Sequence, residues 1–156
     1  MNLRIHHFYD IMRSFGTGKK IEPHSYGHSY HKIAEKIRAD PNLKIKIVVE
    51  NDAVCEGCNH TKDNHCNDTI THRQDFTSKE EFNNYIDKRI MKLCSIEEGD
   101  IFTPIQICEK AKKYLEEIGH IYDGNDPEHT KIRKRHMIKG LKYYSELHKF
   151  YLGFLD

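Results

Sequence analysis

Apolar residues recur along the chain mostly every three or four positions, and in one place every second position. Phe8, Ile11, Met12 and Phe15 fall at helical spacing, and Gly16 offers a residue able to end that helix. Tyr26, Tyr30, Ile33, Ala34 and Ile37 line one face of a second helix. Asp40-Pro41 stops it, because the residue before proline avoids the α region. The stretch Leu43-Lys-Ile-Lys-Ile-Val-Val49 switches to alternation with β-branched residues, which predicts a half-buried strand. Ser78-Lys-Glu-Glu81 is a capping box opening a helix with Phe82, Tyr85, Ile86, Ile90 and Leu93 on its stripe. Thr103-Pro-Ile-Gln106 repeats that logic, with Pro104 at the first helical position, for a helix carrying Ile107, Ala111, Tyr114, Leu115 and Ile118. Asp126-Pro127 begins a last helix over about residues 127–152, striped by Ile132, His136, Met137, Leu141, Tyr144 and Leu147. The pattern predicts an α+β class: a mainly helical single domain spanning 1–156, with one short strand leading into a cysteine-rich loop.

Composition narrows the function more than the fold. With 37% hydrophobic and 31% charged residues the chain is polar yet able to bury a core. The formal charge is +1, so no overall basicity argues for nucleic acid. The opening Met1-Asn-Leu-Arg-Ile-His-His7 lacks the apolar run of a signal peptide, and no window approaches a membrane span. A cytoplasmic location is therefore expected, where thiols stay reduced. The five cysteines are an odd number, which argues against a pure disulfide framework. Twelve histidines multiply the candidate ligands and equally the chance neighbours. His24, His28 and His31, spaced by four and three, read as exposed or core-edge residues before they read as ligands. Lys131 to Arg135 reads as a solvated basic face.

The chemistry concentrates in Cys55-Glu-Gly-Cys58-Asn-His60-Thr-Lys-Asp-Asn-His65-Cys66. A C-x2-C loop lets two sulfurs point at one centre, with Gly57 free to take the positive φ such a turn needs. Soft thiolates of this kind suit zinc or an iron–sulfur cluster. The bland alternatives are three unrelated thiols, or a disulfide with a spare. A tetrahedral zinc would take His60 or His65 as its fourth ligand. A four-iron cluster would take a distant fourth residue, or leave one iron open. Spacing alone leaves zinc and iron undecided. Cys94 and Cys108, set among apolar helix residues, read as small buried hydrophobes.

The segment Leu3-Arg-Ile-His-His7, the strand entering Cys55-x-x-Cys58 and Cys66, and the Asp75…Gly99-Asp-Ile-Phe-Thr103 region together resemble a small, uncharacterised bacterial and archaeal family. Its members are described as iron–sulfur-binding proteins. The likeness covers roughly residues 3 to 118. Members carry a further cysteine three residues after the second histidine, where this chain has Asp10. The resemblance thus implies a 4Fe-4S cluster on Cys55, Cys58 and Cys66, with Asp10, or else His7 or His65, at a labile fourth iron. His6 and His7 become acid–base or positioning groups, instead of merely a polar helix start. Two uses follow: electron transfer to a partner, or Lewis-acid chemistry on a small-molecule substrate, such as desulfuration or dehydration. The alternative from a different class is a zinc-stabilised module that binds protein or nucleic acid. Substrate, redox partner and oligomeric state are not encoded in these patterns.

Overall fold

The computed structural model describes residues 1–149. Strand β1 (Asn2–Leu3) leads directly into helix α1 (Ile5–Thr17). Helix α2 (Tyr30–Ala39) precedes strand β2 (Ile45–Ile47), and the cysteine segment folds into a hairpin of β3 (Thr61–Lys62) and β4 (His65–Cys66). Then come α3 (Lys79–Cys94), β5 (Ile101–Phe102), α4 (Pro104–Lys112), a 3-10 helix (Glu117–Tyr122) and α5 (Pro127–Leu147). The main sheet has the order β1-β2-β5, with β1 parallel and β5 antiparallel to β2. The result is a mainly helical α+β fold, as the periodicity predicts. Among the described residues no helix is long and apolar enough to cross a membrane.

Helix α1 lies at the centre. Ile5, Phe8, Ile11 and Met12 are completely buried, and Leu3, Ile37, Ile45, Ile47, Ile90 and Ile107 surround them. It packs on both α3 and α5. The crossing with α5 is close because it is made by two glycines. A Cβ on Gly140 would fall on the Met12 carbonyl, and one on Gly16 would fall on the His136 carbonyl. Gly16 is therefore an interior packing position, and α1 ends instead at Gly18, which takes a left-handed φ of 69°.

Four other expectations change for identifiable reasons. Helix α2 begins at Tyr30, not Tyr26, because residues 24–29 give their backbone groups to the cysteine loop. Ser29 N–H donates to the Val54 carbonyl at 2.8 Å, and Asn59 N–H to that of Tyr26 at 2.9 Å. Helix α4 stops at Lys112; Tyr114 and Leu115 fall in a turn, and Ile118 in the 3-10 helix, whose period of three stacks Ile118 and Ile121 on its buried side. On α5, Met137, Leu141 and Tyr144 are buried as expected, whereas His136 is half-buried and Ile132 and Leu147 remain exposed. The expected extension of α5 over residues 150–152 lies outside the described residues. Finally, the basic run is not wholly solvated: Arg133 turns inward and pairs with Asp10 at 2.6 Å.

The caps at Thr103 and Asp126 form as expected, whereas at Ser78 only one half of the expected capping box is made. Thr103 and Gln106 make both halves of the capping box before α4, and Asp126 caps α5 by accepting from His129 N–H. Ser78 accepts from Glu81 N–H at the start of α3.

The glycine crossing makes one sharp expectation. Gly140→Ala should destabilise the protein by about 1–3 kcal/mol in chemical denaturation, through overpacking. This should hold even though alanine favours an exposed helix by roughly 1 kcal/mol over glycine.

Candidate functional site

Because β1 and β2 run parallel, with Leu3 opposite Ile47, their carboxyl ends finish on the same edge of the sheet. One releases Arg4, His6 and His7 into the first turn of α1. The other releases the loop that carries Asp52 and the first two cysteines. Ligands of open sheets commonly bind beyond such carboxyl ends.

Asp52 joins the two segments. Its Oδ1 accepts from Val54 N–H at 3.0 Å and Cys55 N–H at 3.3 Å, a local aspartate turn that sets the start of the cysteine loop. Its Oδ2 accepts from Arg4 N–H at 2.6 Å and from His7 Nδ1–H at 2.8 Å. Cys58 N–H then donates to the Cys55 carbonyl at 3.0 Å, with Gly57 at φ 79° in the third position of the turn. Gly57 and Gly27 pack backbone to backbone, so a Cβ on Gly57 would stand 2.9 Å from the Gly27 carbonyl. This contact lays residues 24–29 over the cysteine loop. Asp63 and Asn64 both have positive φ, at 49° and 62°, forming the two-residue turn that suits a tight hairpin. The hairpin returns Cys66 opposite Thr61, and Cys66 N–H donates to Glu80 Oε2 at 3.0 Å.

Cys55, Cys58 and Cys66 consequently line one cavity of about 420 Å³, together with His6, His7 and Asp10. All three thiols are free and partly exposed. Burial and the neighbouring Asp52 push the Cys55 thiol up to about 12, and burial also raises Cys66. These thiols await a positive charge to become thiolates, and binding a cation would release their protons. Among the described residues no three His, Cys, Asp or Glu side chains converge as a ready-made site for a single ion. The donors ring a cavity instead.

The two histidines face it with opposite charge preferences. His6 donates Nδ1–H to Asp87 at 2.8 Å, and the Asp87 carboxylate also accepts from Arg4 Nε at 2.8 Å. Burial opposes ionisation of Asp87, but His6 and Arg4 outweigh it and hold the carboxyl below its ordinary value. Burial then lowers His6, and the nearby His7 and Arg4 cations lower it further. Since Arg4 already supplies the countercharge, the state is Asp87 ionised and His6 neutral. His7 is the reverse case. Burial works against its charge, yet Asp52 overcomes this and raises the imidazole above its usual value. In both rings Nδ1 is taken by a carboxylate, so Nε2 is the nitrogen left for the cavity. The rings are neighbours, 4.2 Å between centroids.

The remaining sequence candidates fall on both sides of this line. Asp10 reaches the cavity, but its Oδ1 is held by Arg133 at 2.6 Å and Arg13 at 3.5 Å, bringing its carboxyl to about 2 against the pull of burial. His65 is exposed and lines a different depression beside Val49 and Glu50. His60, rather than His65, faces the cysteines. Cys94 and Cys108 are buried in the core, against Tyr9 and Met12. His24 and His28 join the cavity wall, stacked 4.7 Å apart. Each accepts a backbone N–H at Nδ1, from Tyr26 and Tyr30 respectively, which leaves Nε2 as the donor nitrogen.

Periodicity gave no weight to Arg4, Asp52, Glu80 or Asp87. Two signals for them exist. Asp52 stands three residues before Cys55, an aspartate-turn spacing. Glu80, Asn84 and Asp87 recur at intervals of four and three beside the apolar stripe of α3, which marks an inward polar row.

Two measurements follow. Imidazole nitrogen NMR should find His6 in the Nδ1–H neutral form at pH 6.5, with His7 still protonated; equal titration of the two rings would contradict the asymmetry. Acid unfolding should depend on Asp52, whose carboxyl sits at about 2 when folded against 3.8 otherwise. Its contribution, about 2 kcal/mol, is complete above pH 4 and fades as pH falls through 2. Asp52→Asn should remove that part of the acid dependence.

Residues 24–123 match the profile of a family described as proteins of unknown function (DUF1284). The matched stretch takes in the overlying loop, all three cavity cysteines and α3, while His6, His7 and α5 lie outside it. The family's description assigns no cofactor. Comparison with curated proteins and with solved structures found no match. With most of its length covered, this chain belongs to the DUF1284 family.

Proposed function

We propose that the cavity binds an iron–sulfur cluster, of the 4Fe-4S type, through Cys55, Cys58 and Cys66, and serves redox or Lewis-acid chemistry on a small molecule. The observation that carries this reading is the meeting, in one cavity, of three free thiols with two carboxylate-anchored imidazoles. The donor set fits. A cluster offers its irons at separate corners, so its thiolates stand farther apart than those around one ion, in keeping with donors that ring a cavity. The same cavity is lined by His6, His7 and Asp10. Asp10 has only Oδ2 left for an iron, because Arg133 and Arg13 occupy Oδ1.

When bound, such a group supplies an electron-transfer centre or an iron able to polarise a substrate heteroatom. The chain's own residues then have distinct tasks. Neutral His6 accepts a proton at Nε2, and cationic His7 donates one, since environments that push two pKa values apart assign base and acid. Asp87 and Asp52 fix the tautomers and ring orientations. His24 and His28 direct Nε2–H donors at negative charge within the cavity. Desulfuration and dehydration are reaction classes that use such a base and acid together.

Anaerobic purification tests the proposal. The protein should be brown, with iron and acid-labile sulfide in near-equal amounts. Cys55→Ser, Cys58→Ser and Cys66→Ser should each remove most of both, whereas Cys108→Ala should keep them. Colourless protein with stoichiometric zinc would overturn the cluster and favour the zinc-stabilised module.

A further inference from the structure

A second cavity, of about 580 Å³, adjoins the cysteine cavity across His6, Asp10, Lys79 and Asn83, which line both. No residue of the cysteine loop reaches it. Its floor is apolar, from Ile70, Phe82, Ile86 and Tyr122. Its rim is cationic. Lys79 stands at the first position of α3, and Arg133 lies over the Tyr122 ring at 4.6 Å. His72 and His129 complete the rim. The charged groups there already have partners: Asp10 is held by Arg133, Asp126 caps α5 through His129 N–H, and Lys79 Nζ keeps a longer contact of 3.6 Å with Asp68. Arg133 has no second carboxylate partner among the described residues.

Two long helices, α3 and α5, begin at this cavity and turn their positive ends toward it. His72 stands on the rim among these charges. Burial, followed by Arg73, Lys79, Arg133 and His129, holds that imidazole below its ordinary value.

We infer that this cavity is the substrate chamber of the site and takes a small organic anion, its oxyanion head between Lys79 and Arg133 and its apolar body over Phe82 and Ile86. A molecule so held lies alongside His6, which lines both cavities, with its charged head at the boundary between them. Only the nature of the reacting centre rests on the cluster reading; anion binding does not. An apolar floor beneath a polar and charged rim suits a small molecule that has both an apolar body and a charged head.

Titration calorimetry with hexanoate, hexan-1-ol and inorganic phosphate, on the intact protein, tests this. Hexanoate should bind at least tenfold more tightly than either hexan-1-ol, which lacks the charge, or phosphate, which lacks the apolar body. It should also shift the His6 and His72 ring resonances. Lys79→Gln, at a partly exposed position, should weaken hexanoate about tenfold while hardly affecting hexan-1-ol. Equal affinity for hexanoate and hexan-1-ol, indifference to Lys79→Gln, or no binding of hexanoate would overturn the inference. The triple variant Cys55→Ala, Cys58→Ala, Cys66→Ala separates the two proposals. Hexanoate bound by metal-free protein supports the chamber even if the cluster reading fails, and an iron-loaded protein indifferent to hexanoate sinks the chamber alone.

Discussion

One buried guanidinium organises this protein. Arg4 is 1% exposed and sits between the end of β1 and the start of α1. Its side chain bonds to Asp87, Glu80 and Asn84 on α3, at 2.8, 2.9 and 2.5 Å, while its backbone N–H holds Asp52. Burial disfavours such a charge, yet Asp87 and Glu80 hold it above its usual value. Removing one partner of a pair like this strands the others in low dielectric, at a cost on the order of 3–5 kcal/mol. The planar fork matters, because three acceptors in different directions need three separate N–H groups that lysine could not place. Through Asp52 the guanidinium's own residue sets the cysteine loop, and through Glu80 it sets the return of Cys66.

That network also explains why two adjacent histidines behave differently. Both give Nδ1–H to a buried aspartate, so hydrogen bonding alone would make them alike. The difference is who else balances each carboxylate. Asp87 already faces Arg4, so His6 has little to gain by protonation and burial decides. Asp52 receives backbone N–H groups and His7 but no guanidinium, so His7 carries the balancing charge. Opposite charge preferences are thereby made from the same residue type in consecutive positions.

The two cavities follow from the same framework. The cysteine side is built by backbone devices: an aspartate turn, a glycine at positive φ, a two-residue hairpin turn and a glycine-to-glycine contact with the overlying loop. The anionic-ligand side is built by helix ends and the inward turn of Arg133. His6, at the start of the most buried helix, faces both. A residue so placed has little freedom to move, which suits the role proposed for it.

Local chemistry in the sequence was enough for several elements. The caps at Ser78, Thr103 and Asp126 and the apolar stripes specified where helices start and which face they bury, since both depend on residues within a turn or two. The C-x2-C spacing and the paired histidines likewise marked side chains that line one cavity. Tertiary structure decided the rest. Tyr26 has a helical pattern, but its carbonyl is claimed by Asn59, and only the packing of Gly27 on Gly57 makes that exchange favourable. Gly16 looks like a helix end and is instead the point where α1 and α5 touch. Arg133, in a basic run, belongs to Asp10, 123 residues earlier. Arg4, Asp52 and Asp87 acquire their roles from pairings across 48 and 83 residues. Spacing along a chain reports neighbours within a few ångströms of contour, whereas a buried charge finds its partner wherever the fold brings one.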